Sequence, residues 1–397
     1  MAGLYIHIPF CKSRCIYCAF YSTTQLELRQ QYVDALCKEM DTLPPGLPDG
    51  TPISTIYLGG GTPSQLTMPQ LQQLFTHIYI RYRVAPGAEV TIECNPDDIA
   101  ATSPPSPAVG GLHAEALPQL GITRVSMGAQ TFSDSRLRFL NRRHTAAQVP
   151  QAVSRLRQAG IRNISIDLMY GFPGETLHDW QRDIDAALAL GVEHLSAYCL
   201  MVEEGTALYE QMSKEKREKN NDTNDELERQ MYEMLIDRLE AAGYEHYEIS
   251  NWSLTPHPLQ GERGLKSYRA IHNSNYWHDV PYIGLGAAAH SYDGQRRYWN
   301  VSDLQEYIRR VENGISPVED SEAIMGWTRY NDRLTVALRT CEGLDLATLS
   351  PEQRDYCTAA ARRFLDDGLL RADSSHLILT RRGLFVSDMV ISELMFV

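Results

Sequence analysis

Residues 3–20 read GLYIHIPFCKSRCIYCAF. The first half alternates. Leu4, Ile6 and Ile8 fall on one side of an extended chain, the pattern of a strand with a buried face. The second half places Cys11, Cys15 and Cys18 at C-x3-C-x2-C spacing. A strand that runs directly into a thiol-rich loop puts reactive groups at its C-terminal end, where parallel α/β folds gather their chemistry.

The same rhythm continues downstream. Strand-like stretches fall near 4–8, 54–58, 89–93, 124–127, 163–169 and 194–198. Amphipathic helices are expected between them, at about 26–42, 69–80, 113–119, 146–159 and 177–190. Gly121, Gly160 and Gly191 each stand before a strand, where a helix-ending glycine belongs. Strands alternating with helices predict a parallel α/β domain. Two Pro/Gly/Ser-rich runs, 43–52 and 97–111, read as surface loops. The charged run 214–222 reads as a solvated stretch before a helix at 223–242 and a short strand at 245–250. Three parts are expected: an α/β domain over 1–250, a connecting segment over 251–324 without clear periodicity, and a helical domain over 325–397. Helices followed by the hairpin LLRADSSHLILT (369–380) give that last part a winged-helix-like outline.

Composition bounds the function. The chain has 397 residues, 43% hydrophobic and 22% charged, with a formal net charge of −13. That acidity disfavours nucleic acid and anionic membrane surfaces as partners. No run is apolar enough to cross a bilayer, and MAGLYIHIPFC lacks the features of a signal peptide. Eight cysteines in so long a chain are too few for a disulfide scaffold. A reducing cytoplasm is the expected location.

The three clustered cysteines match no zinc ribbon or finger, for no second CxxC and no H-x3-5-H follows. An iron–sulfur cluster normally takes four thiolates. Three leave one iron open for exchange or chemistry, and the spacing is similar to the radical S-adenosylmethionine (SAM) signature. A zinc-stabilised scaffold is the rival reading of the same residues.

Each remaining strand end carries small or polar residues: GGGTP (59–63), ECNP (93–96), GAQTF (128–132) and, past Asp167, GFPGE (171–175). Singly, Glu93 or Asp167 reads as a structural carboxylate. Together the strand ends form a rim suited to a ligand that carries an amino acid and a ribose. Arg142, in LNRRH (140–144), is the candidate partner for a carboxylate.

In order, GLYIHIPFCKSRCIYCAFYS, IYLGGGTPSQL, IECNP, RVSMGAQTFSDSRLRFLNRRH, IDLMYGFPGET, HLSAYCL and GYEHYEISN resemble the oxygen-independent coproporphyrinogen III oxidase family of radical SAM proteins. The resemblance runs from residue 3 to about 300, and the C-terminal segment looks like that family's small helical domain. Within the family the chain looks most like the heme chaperone branch. Phe20 stands where the oxidases have a fourth cysteine, no extension precedes the first strand, and HNSNYW (272–277) matches the branch's H-N-x-x-Y-W motif, proposed for heme.

The resemblance implies an open, partial (β/α)6 barrel for the α/β domain, and that Cys11, Cys15 and Cys18 hold a 4Fe-4S cluster. It implies a SAM site of Tyr5, Gly60, Gly61, Thr62, Glu93, Gln130, Arg142, Asp167 and Ala197, and a heme contact at His272, with His144 and His290 as rivals. A heme chaperone is therefore expected. It would take heme, the cluster and SAM as cofactors, pass heme to an acceptor such as a respiratory hemoprotein, and need an electron donor if SAM is cleaved. The alternatives are a coproporphyrinogen III oxidase that decarboxylates propionates, against which Phe20 counts, and a radical SAM methyltransferase.

Overall fold

The computed structural model describes residues 1–42, 47–48, 50–100, 112, 114–212, 214–255 and 267–397. Most of the Pro/Gly-rich runs expected as loops lie outside the described residues. Six strands follow the expected rhythm: β1 (Ala2–Ile8), β2 (Ile53–Gly60), β3 (Val84–Cys94), β4 (Arg124–Gln130), β5 (Asn163–Tyr170) and β6 (His194–Cys199). They pair in parallel and in sequence order. This is the expected partial (β/α)6 arrangement, with the parallel pairing that the alternation of strand and helix predicts.

Strand alternation divides the two faces. Leu4, Ile6, Ile8, Ile56, Leu58, Val90, Ile92, Val125, Ile164, Ile166 and Leu195 are buried under the surrounding helices. Those helices supply Leu36 and Met40, Leu74 and Ile78, Val149 and Leu156, and Trp180 and Ile184 to the same core. Each such side chain contributes about 1.5–3 kcal/mol by leaving water. The residues between them, Tyr5, Tyr57, Glu93, Arg124, Ser126, Asp167 and Ser196, point to the inner face and line a cavity.

The segment 251–324 joins the same sheet. After β7 (Tyr244–Glu248) come β8 (Asn251–Leu254), β9 (Tyr282–Leu285), β10 (His290–Tyr292), β11 (Arg296–Asn300) and β12 (Val318–Ala323). The strand order is β12-β11-β10-β9-β1-β2-β3-β4-β5-β6-β8-β7. β9 runs parallel to β1, and β8 antiparallel to β6. These strands are short and sit at the sheet edges, so they carry little periodicity to read.

Two helices differ from expectation. The stretch near 113–119 forms only two short 3-10 turns, Ala114–Ala116 and Pro118–Leu120. Pro118 has no amide hydrogen to continue a helix. The helix expected to start at 223 spans Lys214–Ala241 instead. Lys, Glu and Arg are good helix formers, so the charged run extends it.

The C-terminal part packs helices Gly326–Ala337, Pro351–Asp366 and Ser387–Leu394 against a small sheet of β13 (Leu344–Asp345), β14 (Leu370–Asp373) and β15 (His376–Leu379). Tyr330, Leu334, Phe364, Leu377 and Val390 make its own core. A Ser350–Gln353 capping box starts its central helix. Arg339 to Glu248 (2.9 Å) and Arg381 to Asp237 (2.6 Å) tie it to the larger part.

Candidate functional site

The inner face of the parallel strands opens into a cavity of about 670 Å3, lined by all three clustered cysteines. That volume is in the range of a site for one small molecule. Cys11 Sγ lies 3.4 Å from Thr62 Oγ1, at the end of β2. The Arg142 Nη1 donates to Cys15 Sγ at 3.6 Å, while Nη2 donates to Asn95 Oδ1 and to the Gly128 carbonyl, both at 2.7 Å. One guanidinium thus fixes the thiol loop to the ends of β3 and β4. All eight cysteines are free thiols.

Burial pushes the Cys11 and Cys18 thiols up. Holding Cys11 and Cys18 as thiolates would therefore require cationic charge at the sulfurs, which bound iron would supply. Among the described residues, no three His, Cys, Asp or Glu side chains converge on a point that could hold one metal ion.

The opposite wall is acidic. Glu93 accepts from the Tyr57 hydroxyl at 2.7 Å and from the Gly60 amide at 3.1 Å. Burial pushes Glu93 up to about 7, with the Tyr57 hydrogen bond acting downward and Asp167 upward. Burial pushes Asp167 up to about 6, against the charge of Arg124. Two half-buried carboxyl groups held this high on the cavity wall would return to the ionised form beside a cationic ligand. Gln130 has φ of 63°, at a register shift in the β4–β5 pairing. That uncommon conformation for a non-glycine residue, held at a bulge, sets its side chain on the cavity wall.

The glycines of GGGTP serve the protein as well as any ligand. Gly60 has φ of +109°, and a Cβ there would lie 2.5 Å from His7 Cε1; one on Gly61 would lie 2.6 Å from the Pro9 carbonyl carbon. The end of β2 can approach β1 only without side chains.

Of the residues that the family resemblance points to for SAM, Tyr5, Gly60, Gly61, Thr62, Glu93, Gln130, Arg142 and Asp167 all line the cavity. Ala197 does not. Its side chain belongs to the helix-covered core, and its neighbours Ser196 and Tyr198 face the cavity instead. Period-2 alternation is the reason. The sequence reading did not single out Tyr57, Asn95, Arg124 or Ser196 as site residues. Placing each strand's inner face by its alternation would have found them.

His272 lies beside the starts of β1 and β2. Its Nδ1 is 2.8 Å from Thr55 Oγ1 and its Nε2 2.9 Å from the Tyr276 hydroxyl. It stacks on Tyr57 at 5.1 Å between ring centroids, and burial lowers it to about 3, so it is neutral. Its backbone amide donates to Glu89 at 3.0 Å. The HNSNYW segment forms a short helix, Ile271–Trp277, that closes the floor of the cavity. Both ring nitrogens are engaged there, so ligation of an iron would cost one of these bonds. His144 lines the cavity with Nδ1 buried and unpartnered. His290 sits on β10, outside the cavity lining, stacked on Trp299.

A thiol triad at the strand ends of a partial (β/α)6 barrel defines the radical SAM class. The Radical SAM superfamily model matches residues 5–187, and the HemN C-terminal domain model matches residues 326–386. Heme chaperone HemW of Mycobacterium tuberculosis is 34% identical over 397 residues, covering 99% of this chain and 94% of that protein. Heme chaperone HemW of Bacillus subtilis is 32% identical, covering 98% of each. This chain belongs to that HemW family. The solved structure of coproporphyrinogen III oxidase HemN from Escherichia coli, at 21% identity, superposes with a TM-score of 0.79 over 99% of this chain and 89% of that one. It shares the fold. No helix among the described residues is long and apolar enough to cross a membrane.

Proposed function

We propose that this protein is a cytoplasmic heme chaperone. It holds a 4Fe-4S cluster on Cys11, Cys15 and Cys18, binds SAM in the adjoining cavity, takes up heme and passes it to an acceptor protein. The relatives named heme chaperones support the heme role. The observation that carries the cofactor reading is the convergence of the three thiols, Thr62, Arg142, Glu93 and Asp167 on one cavity.

When bound, the cluster would supply one-electron chemistry to SAM. The chain's own groups do the rest. Arg142, on the cavity wall, supplies the positive charge for the ligand carboxylate. Glu93 and Asp167 offset the ligand's positive charge. Tyr57 orients Glu93, and Asn95 orients Arg142. The site is shielded from solvent on its floor by His272 and Tyr276, which keeps these contacts in a low dielectric.

Phe20 favours a chaperone over an oxidase, because the phenyl ring replaces the fourth thiol at the cavity rim. The test is anaerobic. The reconstituted protein is given SAM, a reductant and coproporphyrinogen III, and heme is titrated into a parallel sample while the Soret band is followed. Stoichiometric heme binding without porphyrinogen turnover is expected. Decarboxylated product would make this chain an oxidase. Cys11→Ala, Cys15→Ala or Cys18→Ala should each abolish the brown cluster absorbance, whereas Cys37→Ala should keep it.

A further inference from the structure

We propose that heme lies across the mouth of the cavity, on Phe20, Tyr198 and Met201, with a propionate paired to Arg14. This rests on the chaperone reading above and names the place where that cargo sits.

Three observations lead there. His272, the expected heme contact, is fully engaged at the floor, and the cavity between floor and mouth has the volume of one small ligand. A second large ligand therefore belongs at the opening. The opening is unusually apolar for solvent-facing surface. Phe20 is 72% exposed, Met201 64% and Tyr198 44%, and all three line the cavity. These residues come from two segments that are stitched together. The Leu208 amide donates to the Ile16 carbonyl at 2.8 Å, and Ile16 and Tyr17 pack with Leu200 and Leu208 in one small cluster. The cysteine loop and the segment after β6 are thus adjacent stretches of one rim.

Heme is an apolar disc with carboxylates on one edge, and the rim matches both parts. Aromatic and thioether side chains suit the face of the ring. The chain as a whole carries −13, so an anionic edge needs a local cation. Arg14 lines the same cavity, and its guanidinium pairs with no carboxylate among the described residues. Glu203 lines the rim as well, on the segment after β6, and sets the propionate edge toward the cysteine loop. The position that would hold a fourth thiol in the oxidases carries the most exposed of the three apolar side chains, Phe20.

The test titrates heme into the full-length, cluster-loaded protein anaerobically. Phe20→Ala and Met201→Ala should each weaken heme binding about tenfold, as loss of a central apolar anchor does. Arg14→Gln should weaken it as well and remove the part of its salt dependence that a propionate–guanidinium pair contributes. Phe20→Trp, which keeps an aromatic face, should keep the parent's affinity. The three substituted side chains are solvent-facing, so thermal melts should match the parent. Unchanged heme affinity in the Phe20/Met201 double variant, with the parent binding heme, would overturn the mouth site and leave the chaperone reading standing. A parent that binds no heme overturns both.

Discussion

Arg142 and Cys15 meet at 3.6 Å, and the other guanidinium nitrogen bridges Asn95 and the Gly128 carbonyl. A single side chain therefore sets the position of the thiol loop relative to two strand ends. Its Nε is buried without a hydrogen-bond partner among the described residues.

Arg142→Lys should separate charge from geometry. Lysine keeps the positive charge but cannot span three partners. SAM binding, measured by anaerobic equilibrium dialysis, should weaken about 10–100-fold, the worth of one charged hydrogen bond. Arg142→Met should in addition lower iron retention. Affinity equal to the parent in Arg142→Lys would show that charge alone suffices.

Gly60→Ala should destabilise the protein by about 2 kcal/mol or more, since φ of +109° is strained for any residue with a Cβ. The added methyl would also meet the His7 ring. Denaturant unfolding reads the loss directly. A neutral result would mean that the strand end moves freely.

Ligand affinity should depend on pH through Glu93, near 7, and Asp167, near 6. Both are raised, so each is partly protonated just below neutrality. A ligand with a sulfonium charge favours their ionised forms. Its affinity should therefore fall as pH drops from about 7.5 to about 5.5. Calorimetry in two buffers of different ionisation enthalpy should show proton release on binding near pH 6.5, and Glu93→Gln should remove the upper part of the dependence. Proton uptake would reverse the assignment.

His272→Ala should cost about 2–4 kcal/mol without any heme present, from a cavity beside Tyr57 and two abandoned hydrogen bonds. The folded value of His272 is depressed to about 3 from its ordinary 6.5. The unfolded chain therefore binds the extra proton. Stability contributed by the neutral ring is present above pH 6.5 and is lost, by about 1.4 kcal/mol per pH unit, as pH falls toward 3. The variant should show a shallower acid limb in unfolding midpoint against pH. An unchanged melt would exclude the floor-closing role.

Much of this architecture was legible in the chain itself. C-x3-C-x2-C marks Cys11, Cys15 and Cys18 as the proposed cluster ligands because the spacing is local. The period-2 apolar positions of β1 to β6 placed the core face, because a strand's alternation is set by its own backbone. The order of rim motifs followed from the parallel topology. Tertiary structure decided what local pattern cannot. His272 meets Thr55 across 217 residues of sequence and so becomes a floor rather than an open ligand. Ala197 turns to the helices because β6 is fixed in register with β5, Leu168 opposite Ala197. The short strands of 251–324 are stabilised by sheet edges already formed, so no periodicity of their own announces them. Burial, which raises Glu93 and Asp167, is a property of the closed site; the sequence supplied the carboxylates, and the fold supplied the low dielectric that makes them respond to a ligand.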